Sequence, residues 1–301
     1  EFRRVLFRSV MYHSWNVRRF LRYVIFDLVL ILSAIWLTRA GKQHFAAVEQ
    51  HQNGVFLPVL MYHSVAELTE TQFCVTPQTM ESDLRYLKEH GYEAVSAEAL
   101  VEYTNGTGSL PLHPVLITLD DGFYNNSSLV LPLLEKYDMC AVISVVGVFT
   151  DVYAPDAPHQ DDYSYLTWDD MREMCRSPRI EFGNHTYQLH SHRERQGCAK
   201  LSWESEEEYR QTLSEDLNLL QTRFQEELHL QPIVFAYPYG FLCEESRPVL
   251  QEAGFLITLN CLEQPNFITR DPACLYGLNR YNREGGISTE TYMARLLQME
   301  P

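Results

Sequence analysis

The chain has 301 residues, 46% of them hydrophobic and 21% charged, with 14 glycines and 14 prolines. That is long enough for a sizeable core and too balanced for a collagen-like, low-complexity or disulfide-stapled mini-protein. A net charge of −16 repels a phosphate backbone and excludes nucleic acid as the expected partner.

The charge is uneven, since residues 1–42 hold eight Lys and Arg against two acids, Glu1 and Asp27. Residues 1–10 read as a translated sequencing-adapter scar, with RRVLFRS at positions 3–9 ending just before Met11, and they are set aside. Residues 11–42 have the form of a cytoplasmic basic stub and signal anchor. Arg18, Arg19 and Arg22 precede an apolar stretch over 23–37, interrupted only by Asp27 and Ser33. With Phe20, Leu21 and Thr38 it approaches the ~20 residues of a membrane span. The basic flank stays inside, which sends everything after Arg39 outward to the cell surface. Cleavage near Thr38-Arg39-Ala40 gives a secreted form instead. Residues 43–55 lack periodicity and read as a linker, and 56–301 as one domain.

Beyond the linker, short apolar runs at 55–62, 115–119, 141–146, 180–182, 233–236 and 255–259 alternate with helical patterns. Thr76 caps a helix with Pro77 at its first position, Met80, Leu84 and Leu87 on one face and Gly91 at its end. Leu129, Leu133, Leu134 and Tyr137 form a second stripe. Thr167 and Asp170 have capping-box spacing. Tyr209, Leu213, Leu217, Leu220, Phe224 and Leu228 define a long fourth helix. Val249, Leu250 and Ala253 line a fifth, stopped at Gly254. Buried strands alternating with helices imply a parallel sheet wrapped by helices, either doubly wound or a (β/α) barrel. No G-x-G-x-x-G follows the first strand, which removes the main support for a dinucleotide fold. The seven cysteines form no C-x-x-C pair, so no thiolate site or disulfide framework follows. Cys140, ahead of Ala-Val-Ile, reads as a small core residue.

In parallel α/β folds, sites gather at the carboxyl ends of strands. Here those ends carry Met61-Tyr62-His63-Ser64, Asp120-Asp121-Gly122, the loop from His185 to His190, Tyr237-Pro238-Tyr239-Gly240 and Leu278-Asn279-Arg280. Each alone is weak: an Asp pair before Gly is most often a turn, and a strand-end His is most often a surface residue. Two histidines five apart do not share a helix face, yet on a loop they can converge on one ion. One carboxylate and two imidazoles suit a borderline metal such as zinc. A second carboxylate as base and a further His as acid complete the parts for hydrolysing an amide or ester.

The same residues resemble a known family. Thr118-Leu119-Asp120-Asp121-Gly122 resembles the T-F-D-D-G motif of polysaccharide deacetylases, the NodB-homology family (carbohydrate esterase family four). His185-Thr186-Tyr187-Gln188-Leu189-His190 is similar to its H-[S/T]-x-x-H motif, and Phe235-Ala236-Tyr237-Pro238-Tyr239-Gly240 to F-R-P-P-Y-G. The resemblance covers about residues 56–283. It implies a distorted (β/α) barrel of about seven parallel strands, here preceded by the anchor helix. It implies a divalent metal, zinc or else cobalt or nickel, held by Asp121, His185 and His190. It also implies Asp120 as general base and the backbone N–H of Tyr239 as an oxyanion donor.

Three departures stand out. The second histidine lies one position late, as in the poly-N-acetylglucosamine branch of the family, with His192 as the alternative ligand. Ala236 replaces the third motif's Arg, leaving Arg280 to orient Asp120 from a distance. The late L-x-H acid motif is missing, leaving His63 as the candidate acid; its other reading is a strand-end His bonding backbone.

The expected function is metal-dependent removal of N-acetyl groups from an amino-sugar polymer, peptidoglycan or poly-N-acetylglucosamine. The alternatives are an O-acetyl-ester deacetylase, as on xylan, and a non-catalytic carbohydrate-binding relative. Tyr62, Tyr187, Tyr237, Tyr239 and Trp168 are candidate stacking surfaces for sugar rings, with core packing favoured for Trp168. Glycosylation sequons begin at Asn105, Asn125, Asn126 and Asn184. Residues 191–204 read as a substrate-facing loop, and no protein partner is inferable.

Overall fold

The computed structural model describes Arg22 and residues 24–33, 54–67, 70–152 and 158–298. It divides into two units, 1–52 and 53–301. In the first, residues 24–33 are helical. No helix among the described residues is long and apolar enough to cross a membrane. The rest of the expected anchor in 11–42, the scar at 1–10 and the linker up to residue 53 lie outside the described residues. The expected linker boundary moves: Val55–Phe56 pairs antiparallel with Phe267–Ile268, so residue 55 already belongs to the folded unit.

Eight strands of the second unit form one curled parallel sheet. In chain order they are β1 (Val59–Tyr62), β2 (Pro114–Asp121), β3 (Ala141–Val145), β4 (Ile180–Asn184), β5 (Val234–Ala236), β6 (Ile257–Leu259), β7 (Tyr276–Leu278) and β8 (Tyr281–Asn282). Across the sheet the order is β7-β6-β5-β4-β3-β2-β1-β8, with the short strand Glu93–Ala94 added beside β2. β7 and β8 lie at opposite edges, yet only Asn279 and Arg280 separate them. Three Cα steps reach at most about 11 Å. The sheet must therefore curl until its edges meet, and 276–282 is one extended stave whose two halves pair on opposite sides. Counted that way the barrel has seven staves.

Among the described residues, eight α-helices surround it: α1 (Pro77–Glu89), α2 (Ala97–Thr104), α3 (Leu131–Tyr137), α4 (Gly147–Val152), α5 (Trp168–Met174), α6 (Glu206–Leu228), α7 (Ser246–Glu252) and α8 (Thr289–Leu296). The Thr76 cap accepts from Thr79 N, and the Thr167–Asp170 capping box opens α5. The sequence pattern does not mark α2, α4 and α8, each six to eight residues long.

Strand side chains alternate in direction. Val59, Leu116, Val142, Val234, Ala236, Ile257, Leu259 and Leu278 pack with α2 in one cluster. The opposite set, including Leu60, Ile117, Leu119, Ile143 and Val145, packs with residues of α1, α3, α5, α6 and α8. Toward the carboxyl ends, the first set gives way to Thr118, Asp120 and Arg280, all buried and polar. The barrel mouth is thus the place where chemistry replaces packing. The cysteines are all free, and Cys140 is only partly buried, contrary to the core reading; Cys198 is the fully buried one.

Candidate active site

Parallel register brings the site together. Tyr62 pairs with Leu119, Asp121 with Val145 and Val145 with Asn184. His63, the Asp pair and His185 therefore emerge side by side. They line a cleft of about 610 Å³ together with His190, His192, Tyr239 and Cys261.

One carboxylate and two imidazoles converge. The ligand-type atoms of Asp121, His185 and His190 lie within 4.8 Å of one another. Asp121 Oδ1 is 3.2 Å from His190 Nε2 and 3.6 Å from His185 Nε2. That oxygen is buried and accepts no hydrogen bond. His185 Nδ1–H donates to the Ala236 carbonyl at 2.8 Å, which leaves the Nε2 lone pair facing Asp121. Burial lowers the His185 pKa and favours the neutral imidazole that metal binding needs. His190 Nδ1 lies 3.1 Å from the Tyr239 hydroxyl. Mixed N/O donors around an orphaned carboxylate oxygen fit a divalent cation. His192 is not part of this group: its ring lies against Tyr239, centroids 3.5 Å apart.

The backbone at these points is unusual. Asp121 and Thr186 have φ values of 72° and 71°, a region costly for side chains with a Cβ, above all a β-branched one. Asn184 Oδ1 steadies the second turn by accepting from Thr186 N at 2.8 Å. Gly122, with φ of 74°, has no alternative residue, because a Cβ there would lie 2.8 Å from Val145 Cγ1.

Asp120 is held differently. Arg280 Nη1 and Nη2 each donate to one of its carboxylate oxygens at 2.7 Å, both side chains being buried. Burial alone would raise the Asp120 pKa; the Arg280 guanidinium outweighs it and holds the carboxyl well below the usual range. Arg280 is fixed in turn by donating to the carbonyl of Asn260 at 2.9 Å. Ala236 has no side chain that reaches Asp120, so the closing stave supplies the guanidinium.

His63 lies edge-on to Phe73, centroids 4.8 Å apart, and its Nδ1 has no hydrogen-bond partner. Burial lowers its pKa against the pull of Asp120 and Asp121. The reading of His63 as a residue bonding backbone through its ring is not what the structure contains. Its main-chain carbonyl accepts from Asn126 Nδ2 at 3.2 Å. Asn125 Oδ1 accepts from Val65 N at 3.1 Å.

Tyr239 sits in a tight turn with φ of 57°, ring partly exposed. Of the other proposed stacking aromatics, Tyr62, Tyr237 and Trp168 are buried, and the Tyr187 hydroxyl donates to Asp151. The rings available in the cleft are instead Phe73, Phe123, Tyr239 and Phe241. Asn125, Asn126 and Asn184 are buried side chains, inaccessible as sequons in the folded chain. Within 191–204 only His192 reaches the cleft, while Arg195 pairs with Glu204 at 2.5 Å.

Sequence reasoning missed Asp216. Its two carboxylate oxygens accept from Tyr187 N at 2.7 Å and Gln188 N at 2.8 Å, anchoring the loop between the two histidines. The signal was there: an acid beside Leu213 and Leu217 on the apolar stripe of α6.

Residues 108–257 match the polysaccharide deacetylase family. The chain is 26% identical over 246 residues to the poly-beta-1,6-N-acetyl-D-glucosamine N-deacetylase of Escherichia coli, covering 71% of this chain and 36% of that protein. To the protein of the same name from Staphylococcus aureus it is 25% identical over 202 residues, covering 66% of this chain and 65% of that one. The chain thus spans about a third of the first relative's length and about two thirds of the second's. A solved de-N-acetylase from Aggregatibacter actinomycetemcomitans superposes with a TM-score of 0.64 at 24% identity, covering 78% of this chain and 96% of that one, which establishes the fold. The matched segment contains Asp120, Asp121, His185, His190 and Tyr239, whereas His63 and Arg280 fall outside it. With barrel, motif order and matched segment in agreement, the chain belongs to the polysaccharide deacetylase family.

Proposed function

We propose that this chain removes N-acetyl groups from an amino-sugar polysaccharide in a metal-dependent hydrolysis that releases acetate. Poly-N-acetylglucosamine is the leading polymer and peptidoglycan the second. The observation that carries the reading is Asp121, His185 and His190 converging beside a second, separately oriented carboxylate, Asp120. A binding module has no use for that second group. The names of the two bacterial relatives support the N-acetylglucosamine polymer.

A divalent ion held by Asp121, His185 and His190, zinc first with cobalt or nickel as substitutes, supplies Lewis-acid activation of water and of the acetamide carbonyl. The chain's own residues divide the proton work. Asp120 stays ionised through its Arg280 contacts and accepts the proton of the attacking water. His63 is kept neutral at rest by burial. It gains basicity as negative charge builds beside it, takes over the proton that Asp120 removed from the water, and passes it to the departing nitrogen, leaving Asp120 ionised again. The Tyr239 backbone N–H is the proposed oxyanion donor. An anchor within 11–42, with the domain displayed on the outer cell surface, belongs to the same proposal. Its support is the basic cluster ahead of an apolar stretch that is helical over 24–33.

The test is acetate release by purified full-length chain, stripped with chelator and then reloaded with zinc, cobalt or nickel. N-acetylglucosamine oligomers are the substrate and acetylated xylan the ester control. Metal-restored acetate from the oligomers, absent in Asp121→Ala, is expected. Release from xylan alone would replace the amide reading with the ester one, and no release from either would leave a binding protein.

A further inference from the structure

The two sides of the cleft differ in chemistry. One carries aromatic and imidazole rings, among them His190, Tyr239 and Phe241; the other carries Glu263, Asn282 and Glu284. On this second wall, beside Gln72, the unoccupied side-chain groups of Asn282 and Glu284 are acceptors. Asn282 is 8% exposed; its Nδ2 donates to the Gln72 carbonyl at 2.9 Å, while its Oδ1 is buried with no partner. A buried amide oxygen left unpaired in a cleft is costly unless a ligand donates to it. Glu263 accepts from Asn282 N at 3.2 Å and lies 3.5 Å from Arg295 Nε. Glu284 belongs to no recorded ion pair among the described residues, so its charge is not cancelled locally.

This wall is built, not floppy. Arg283, between Asn282 and Glu284, is buried and donates through Nε to Asp83 Oδ2 at 2.6 Å. Its Nη1 donates to the Glu284 carbonyl at 2.7 Å. Gly285 N donates to the Thr71 carbonyl and Gly286 N to Glu70, both at 2.8 Å. Acceptors carried on a backbone tied down in this way are complementary to a ligand that brings donors and positive charge.

An N-acetylated sugar is neutral. The product of deacetylation is not: hydrolysis of the amide leaves a primary amine that is protonated near neutral pH. We propose that Glu263, Asn282 and Glu284 form a subsite for a free glucosammonium unit of the same polymer. The preferred substrate is then a partly de-N-acetylated chain, with one unit already bearing an amine while another is hydrolysed at the Asp121 centre. This rests on the deacetylase reading above and adds to it the substrate's state.

The test compares kcat/KM on equal-length N-acetylglucosamine oligomers, one fully acetylated and the others carrying a single free amine at a defined ring. One amine position should be preferred by about ten-fold, the size of one charge-assisted hydrogen bond. The preference should shrink at high salt and in Glu284→Gln and Glu263→Gln, with circular dichroism melts confirming that both variants fold. Equal rates on all oligomers, or a preference untouched by both variants, would overturn the subsite. Calorimetric binding of the same oligomers separates the two readings. If no oligomer is hydrolysed yet the amine-bearing one binds more tightly, and Glu284→Gln removes the difference, the deacetylase reading fails and the subsite stands. Equal binding overturns the subsite.

Discussion

A carboxylate buried as deeply as Asp120 is tolerable only with a partner that reaches both oxygens, and Arg280 does so at 2.7 Å on each. Removing one member leaves the other charged and unpaired, which is why broken buried pairs cost more than intact ones contribute. Arg280→Met should lower stability by about 3–5 kcal/mol, read from urea unfolding. Asp120→Asn should keep bound metal, counted by elemental analysis, yet lose about 10²–10⁴ in kcat, the share of a general base. Loss of metal in that variant would exchange the assigned roles of Asp120 and Asp121. The Asp pair was legible in the sequence because it sits directly before Gly122 at a strand end. That Arg280 stands in for the missing third-motif Arg was legible too; its grip on both Asp120 oxygens was not, since that depends on how the closing stave meets the barrel mouth.

At the scale of elements, the histidine loop is held by a helix distant in sequence. Asp216, midway along α6, takes both Tyr187 N and Gln188 N. Burial raises its pKa, and the backbone donors oppose this, as expected for a carboxylate whose hydration has been replaced by main-chain N–H groups. Asp216→Asn retains one acceptor and turns an amide donor toward the other N–H. It should cost about 1–3 kcal/mol and weaken metal binding by about 10–100-fold, measured by calorimetry. The long helix itself was plain from its apolar repeat, and the capping box at Thr167 carries its own local geometry; the one at Ser205 comes from the structure. The service Asp216 performs is invisible in that pattern, because a helix period reports which face is buried and not what lies against it.

For the whole molecule, the decisive feature is the stave 276–282, which joins both sheet edges and delivers Arg280 into the mouth of the barrel. The gap between its halves is stitched by side chains: Asn266 Oδ1 accepts from Asn279 N at 2.8 Å, and Asn266 Nδ2 donates to the Asn279 carbonyl at 2.9 Å. On the far side of the seam, Asp83 gathers Tyr62 Oη at 2.8 Å and Thr289 Oγ1 at 2.6 Å besides Arg283. A metal bound only by the folded state stabilises all of this through mass action. Zinc at about 100 times Kd should therefore add about 2.7 kcal/mol and raise Tm by roughly 5–10 °C for a domain of this size. Thermal scans of Asp121→Ala should show no such rise.

The sequence by itself determined the alternation of strand and helix, the caps, the order of the three motifs and the set Asp120, Asp121, His185 and His190. Those are statements about neighbours, written in periods of two and 3.6 residues and in short turns. Only the tertiary structure decided that Arg280 grips both oxygens of Asp120, that Asp216 holds the histidine loop, that Tyr62 and Tyr237 are core residues, and that Glu263, Asn282 and Glu284 line the cleft of the site. Each joins residues far apart along the chain whose meeting is fixed by strand register and barrel closure. A fully buried arginine and an ordinary surface arginine are the same letter until the sheet curls around one of them.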